Sequence, residues 1–145
     1  YSANAYAFST RHQNCNQWLV ELLAAGWGGI GAAPDARVQA QRWLAEHRYE
    51  PSRVEVGWRP LMWAAATFVT WLHNDDHPEA DLEAAVYRIS LPAAVEGLVQ
   101  AQAAGARRLQ FCYTAAHLLV RRGGEVGEQR ADCVPEVPDE VLPLD

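Results

Sequence analysis

The run Asn14-Cys15-Asn16-Gln17-Trp18 puts a thiol at the point where a helix should begin. Asn14 suits the N-cap, and Gln17 completes a capping box in which the Asn14 side chain takes the Gln17 N–H while Gln17 reaches back. Cys15 then occupies the first helical position. There the unpaired N–H groups and the macrodipole favour the thiolate, the form of cysteine that attacks a carbonyl carbon. Trp18, Leu19 and Leu22 follow at helical spacing, so the helix is expected to pack on the side to which Cys15 points, with the thiol at the rim of the core. The plainer alternative is a small apolar residue buried at a well-capped helix start, since free cysteine is commonly buried.

A thiol nucleophile needs a base within hydrogen-bond reach and a third group to orient that base. Of the five histidines, His77 has the most suggestive setting, in the loop His73-Asn74-Asp75-Asp76-His77-Pro78 with a carboxylate at hand. The expected site is therefore Cys15, His77 and Asp76. His12 lies close to Cys15 in the turn before the helix, with no geometry that the sequence defines. His47 suits the apolar face and negative end of a second helix, and His117 reads as a core-edge residue. The acidic loop admits two other readings. His73 and His77, with two carboxylates between them, are a candidate ligand set for a divalent ion, or the loop is solvated and does no chemistry. No cofactor is expected.

The elements that must position these residues follow from periodicity and punctuation. A first helix is predicted from Cys15 to about Ala25, ended by Gly26, Gly28 and Gly29. A second starts at Pro34-Asp35, with Ala36, Ala40, Trp43 and Leu44 on one face. Arg53 to Trp58 and Val86 to Ser90 read as strands. Pro60 opens an apolar run to Leu72, hydrophobic on nearly all sides and so a central or interface helix. Pro92 opens a further helix closed by Gly105. Leu109, Phe111 and Tyr113 alternate as in a strand, and Ala115 to Val120 is ambiguous. The expected fold class is α+β, with helices packed on a small antiparallel sheet, as one domain over residues 1–125. An extended, proline-rich acidic tail is expected over residues 126–145.

Composition excludes several functions. A net charge of −6 with no arginine run longer than a pair argues against a nucleic-acid binder. Every basic residue is arginine, which points to codon bias rather than to a site. The three cysteines make no Cys-x-x-Cys pair and allow at most one internal disulfide, leaving one thiol over. The longest apolar stretch falls short of the roughly 20 residues of a membrane span.

Tyr6-Ala7-Phe8, Asn14 to Trp18, and Glu21-Leu22-Leu23-Ala24 together resemble a bacterial family of unknown function. Tyr49-Glu50-Pro51, Asp75 to Pro78, and the strand Val86 to Ser90 are similar to it too, so the likeness covers most of Tyr1 to Val99. The Asn-Cys pair at a helix start also resembles circularly permuted papain-like hydrolases of the NlpC type. That resemblance implies a permuted papain-like half-domain and amidase, peptidase or acyl-transfer chemistry, with a base histidine on an upstream Ser-His-x-Gly strand. Only fourteen residues precede Cys15, and none forms such a segment. On this reading the base comes from an upstream segment or a partner chain. The family resemblance further implies export to the periplasm. The competing expectation is a non-catalytic interaction domain, motivated by six tryptophans and the apolar Leu61 to Leu72 run.

Overall fold

A computed structural model describes residues 1–103, 105–124 and 133–144. The chain forms an α+β fold with two compact units, Tyr1–Leu98 and Val99–Asp145, so the expected single domain over 1–125 is spread over both.

The first unit contains α1 (Cys15–Gly28), α2 (Ala36–Glu46), β1 (Ser52–Glu55), α3 (Arg59–Phe68), α4 (Glu79–Glu83) and β2 (Val86–Ile89). α5 (Pro92–Gln102) starts in it and runs past its end. β1 and β2 pair antiparallel, with Val54 opposite Tyr87, and Tyr6 extends the pairing as a single bridge to Ile89. One core cluster joins Val20 and Ala24 of α1 to Ala40 and Leu44 of α2, with Ala7, Tyr49, Ala94 and Leu98. A second surrounds Met62, Leu82, Tyr87 and Ile89.

α1 stops at Gly29, whose φ of 63° is left-handed. The Gly29 N–H donates to Gly26 and the Ile30 N–H to Ala25, which satisfies two of the last carbonyls. Gly26 and Gly28 therefore lie inside the helix rather than ending it. Gly28 serves packing instead. A Cβ there would come within 2.8 Å of the Trp43 ring, so its absence lets α1 and α2 approach.

One expectation about buried faces is overturned, that for α1, and one is narrowed, since α3 is not central while its exposed face is still that of an interface helix. α1 buries Gln17, Val20, Glu21 and Ala24, while Trp18, Leu19, Leu22 and Cys15 face solvent. The apolar period was present, but the other face is buried because the Gln17 amide N–H groups and the Glu21 carboxylate find partners inside the protein. α3, expected as a central or interface helix, buries only Met62. Trp58, Leu61, Trp63, Phe68 and Trp71 are exposed, Phe68 at 86%.

The second unit holds β3 (Leu109–Tyr113), β4 (His117–Arg122) and β5 (Glu140–Pro143), in the order β3-β4-β5 and antiparallel throughout. The ambiguous segment Ala115 to Val120 is thus strand from His117 onward. Cys112 and Cys133 form a disulfide, leaving Cys15 as the free thiol. Part of the predicted tail lies outside the described residues. Its described end pairs with β4 as β5.

Candidate functional site

Cys15 is the first residue of α1, and Asn14 is its N-cap. The Gln17 N–H donates to Asn14 Oδ1 at 2.7 Å, and the Trp18 N–H to the Asn14 carbonyl at 3.0 Å. Asn14 is itself held, its amide 3.4 Å from the Ser90 carbonyl, while Tyr49 donates to Ser90 Oγ at 2.8 Å. The N–H groups of Cys15 and Asn16 make no hydrogen bond to the described residues, and the thiol is exposed. A solvent-facing sulfur thus sits beside two open N–H donors at the positive end of a 14-residue helix.

Half of the capping box departs from expectation. The Gln17 side chain does not reach back to Asn14. It is fully buried, and its Nε2 donates to the carbonyls of Tyr6, Ala7 and Ser9 at 3.2, 3.4 and 2.8 Å. One turn later Glu21, also buried, accepts from Gln13 Nε2 at 2.5 Å, from Arg37 Nε at 2.8 Å and from Gln41 Nε2. The Arg37 guanidinium continues to the carbonyls of Thr10, Ser9 and His12. α1 and α2 therefore clamp the loop before Cys15 through a polar core. Sequence reasoning missed Glu21 and Arg37 as positioning residues. The spacing of Gln17 and Glu21, four apart on a single helical face, was the available signal.

The histidine loop folds against the N-terminal segment. His77 is buried, with Nε2 2.6 Å from the Asn4 carbonyl and its ring between Tyr6 and Tyr87. Burial pushes its imidazole below the ordinary value of 6.5, against the upward pull of the Asn4 hydrogen bond and of Asp76, Asp81 and Asp75. Neutral His77 has one N–H, and the Asn4 carbonyl takes it. Asp76 Oδ2 accepts the Tyr6 N–H at 3.1 Å. Its Oδ1 lies 3.6 Å from His77 Nε2, too far for a hydrogen bond. His77 Nδ1, Asp76 Oδ1 and His73 Nδ1 are buried without hydrogen-bond partners.

His12 is arranged differently. Its Nε2 lies 2.8 Å from Asp75 Oδ1, its ring stacks on His73 with centroids 4.3 Å apart, and its carbonyl is held by Arg37. Arg11 also reaches Asp75, at 2.7 Å. Partial burial raises the Asp75 pKa, but the His12 hydrogen bond and the Arg11 and His12 charges outweigh it and hold the carboxyl below its usual range. Three residues of chain keep the His12 and Cys15 Cα atoms within about 11 Å of each other.

Of the expected trio, Asp76 and His77 have buried side chains and adjoin each other, Cys15 is exposed, and no hydrogen bond joins the thiol to either. The loop is not the solvated one of the plain reading, because Asn74 and His77 are buried. The metal alternative fails for a geometric reason. Among the described residues no three His, Cys, Asp or Glu side chains converge on one point. His73 stacks on His12 while His77 turns to Asn4. His47 stacks on Trp43 at the end of α2, and His117 is half-buried on β4. No helix among the described residues is long and apolar enough to cross a membrane.

Residues 1–99 match the family described as "uncharacterized protein conserved in bacteria" (DUF2145). The chain belongs to this family, and the matched residues coincide with the first compact unit to within a single residue. No curated protein and no solved structure matches the chain.

Proposed function

We propose that this bacterial family member is a cysteine-dependent hydrolase or acyl transferase acting on an amide or thioester, with Cys15 as the nucleophile. The observation that carries the reading is the start of α1. An exposed thiol, two open N–H groups and a buried cap meet at one helix end. The thiolate attacks the carbonyl carbon and an S–C bond forms, while negative charge collects on the oxygen beside the Cys15 and Asn16 N–H groups. The bond to the leaving nitrogen or sulfur then breaks, and the leaving group takes the proton that came from the thiol. Water, or an acceptor amine, afterwards cleaves the acyl–sulfur bond.

His12 with Asp75 is the pair that best fits the proton-carrying role. What supports it over His77 with Asp76 is accessibility and orientation. His12 is partly exposed, close to Cys15 in the chain, and held by a carboxylate, whereas the His77 side chain is fully buried. A histidine from an upstream segment or a partner chain, the source of base expected from the permuted papain-like resemblance, is the alternative. The Cys112–Cys133 disulfide supports the exported, oxidising setting that goes with that resemblance. The test is turnover of thioester and amide reporters by the full chain. Wild type and H77Q should be active, C15A inactive, and H12Q reduced by about 100-fold or more, the size of a general-base contribution. Equal rates for wild type and C15A overturn the reading. Loss in C15A with no effect of H12Q assigns the base elsewhere.

A second reading, an interaction domain, is favoured by the exposed side chains of Trp58, Leu61, Trp63, Phe68 and Trp71 around α3. It predicts concentration-dependent association, absent in a W63E/F68E variant. A monomer at all concentrations would count against it.

A further inference from the structure

We infer that the second unit carries a binding site for a phosphorylated small molecule at the open end of the β3–β4 pair. Leu109 and Arg122 are the last partners in that register. Just beyond them the Gly123 N–H donates to the Arg108 carbonyl at 3.0 Å, and Arg108 Nη1 returns to the Gly123 carbonyl at 3.1 Å. This closure brings the sequence pairs Arg107-Arg108 and Arg121-Arg122 to one end of the sheet. Alternation then separates the last two. Arg121 is buried and paired with Asp139, whereas Arg122 is exposed on the other face.

A cavity of about 480 Å³ opens here, lined by Gln100, Arg107, Arg108, Arg122, Gly123 and Gly124 beside the apolar Ala106 and Leu109. That volume suits a small organic ligand. Among the described residues its lining includes three guanidinium groups and no carboxylate, in a chain whose net charge is −6. Arg122 donates to Glu140 at 2.9 Å, and Arg108 donates to the Gly123 carbonyl. Arg107 makes no hydrogen bond or ion pair with the described residues. Guanidinium forks match the oxygens of a phosphate in pairs, which a single point charge does not. The glycines contribute room. Both have positive φ, and a Cβ at Gly123 would meet nothing within 4 Å, so a ligand can lie against bare backbone. The apolar part of the wall calls for an organic body attached to the phosphate.

The experiment is calorimetric titration of the full chain with phenyl phosphate, inorganic phosphate and phenol at low salt. Phenyl phosphate should bind most tightly, inorganic phosphate more weakly, and phenol not at all. R107A should weaken phenyl phosphate roughly tenfold to a hundredfold, as loss of a charge-assisted contact does, and R107K should restore only part of that. Arg107 is exposed and bonds no other described residue, so R107A is expected to fold as wild type does. Binding that R107A and R122A leave unchanged overturns the assignment, as does absence of binding by either phosphate. Equal affinity for the two phosphates reassigns the site to free phosphate and overturns the organic part of the claim.

Discussion

Removing the Glu21 carboxylate tests whether the polar core under α1 holds the thiol in place. In E21A the amides of Gln13 and Gln41 and the Nε of Arg37 lose their shared acceptor. Three charge-assisted bonds at about 1.5–3 kcal/mol each would sum to more than the roughly 3–5 kcal/mol that breaking a buried ion pair costs. The lower part of that range applies here, because Arg37 is partly exposed and keeps its bonds to Ser9, Thr10 and His12. The expected loss is about 3 kcal/mol, with E21A/R37A less destabilised than the sum of the single variants by about 1–3 kcal/mol. Urea unfolding followed by tryptophan fluorescence isolates the effect. All six tryptophans lie between Trp18 and Trp71, within the first unit. R37A should also slow acylation of Cys15, since the loop from Ser9 to His12 loses its anchor. An E21A cost below about 1 kcal/mol, or strict additivity in the cycle, would refute the positioning role.

Three further outcomes follow from the geometry. N14A should cost about 1 kcal/mol and reduce Cys15 reactivity, read by unfolding and by thiol labelling, because the Gln17 N–H loses its acceptor. Between the depressed His77 value and 6.5 the unfolded chain binds more protons than the folded one. His77 therefore contributes stability that is full above 6.5 and is lost as the pH falls through its folded value. Fluorescence-detected stability should decline between 6.5 and the depressed folded value in wild type, and H77Q should flatten the decline. Replacing Cys112 and Cys133 by alanine removes a bridge of sequence separation 21 and should cost about 3 kcal/mol. Hydrogen exchange of β3 to β5 amides reads that loss, with tryptophan fluorescence unmoved.

Local signals were legible where one residue type forces one geometry. Asn14 caps α1, Gly29 ends it in the left-handed region, and Val86 to Ile89 forms the expected strand. The faces of α2 and α5 were legible, since Ala40, Leu44 and Leu98 are in the core, but the facing of α1 was not. Trp18, Leu19 and Leu22 read as a packing stripe, and only tertiary partners on the loop and on α2 make Gln17 and Glu21 the cheaper side to bury. The same limit governs the site. His77 and Asp76 looked like a base and its orienting group, yet Asn4 and Tyr6, some seventy positions away, each take up one polar atom of the pair. His12 carried no signal because its partner Asp75 is 63 residues distant. Cys15 sits where capping put it, but facing solvent instead of the core rim.

Intact-mass analysis of acyl transfer to Cys15 tests the central claim most directly. The folded chain is mixed with a small-molecule thioester and compared with the same chain in denaturant and with C15S. The account predicts one acyl increment on the folded protein, mapped to the peptide containing Cys15, forming much faster than in denaturant and absent from C15S. Acylation no faster in the folded chain than in the denatured one would contradict it.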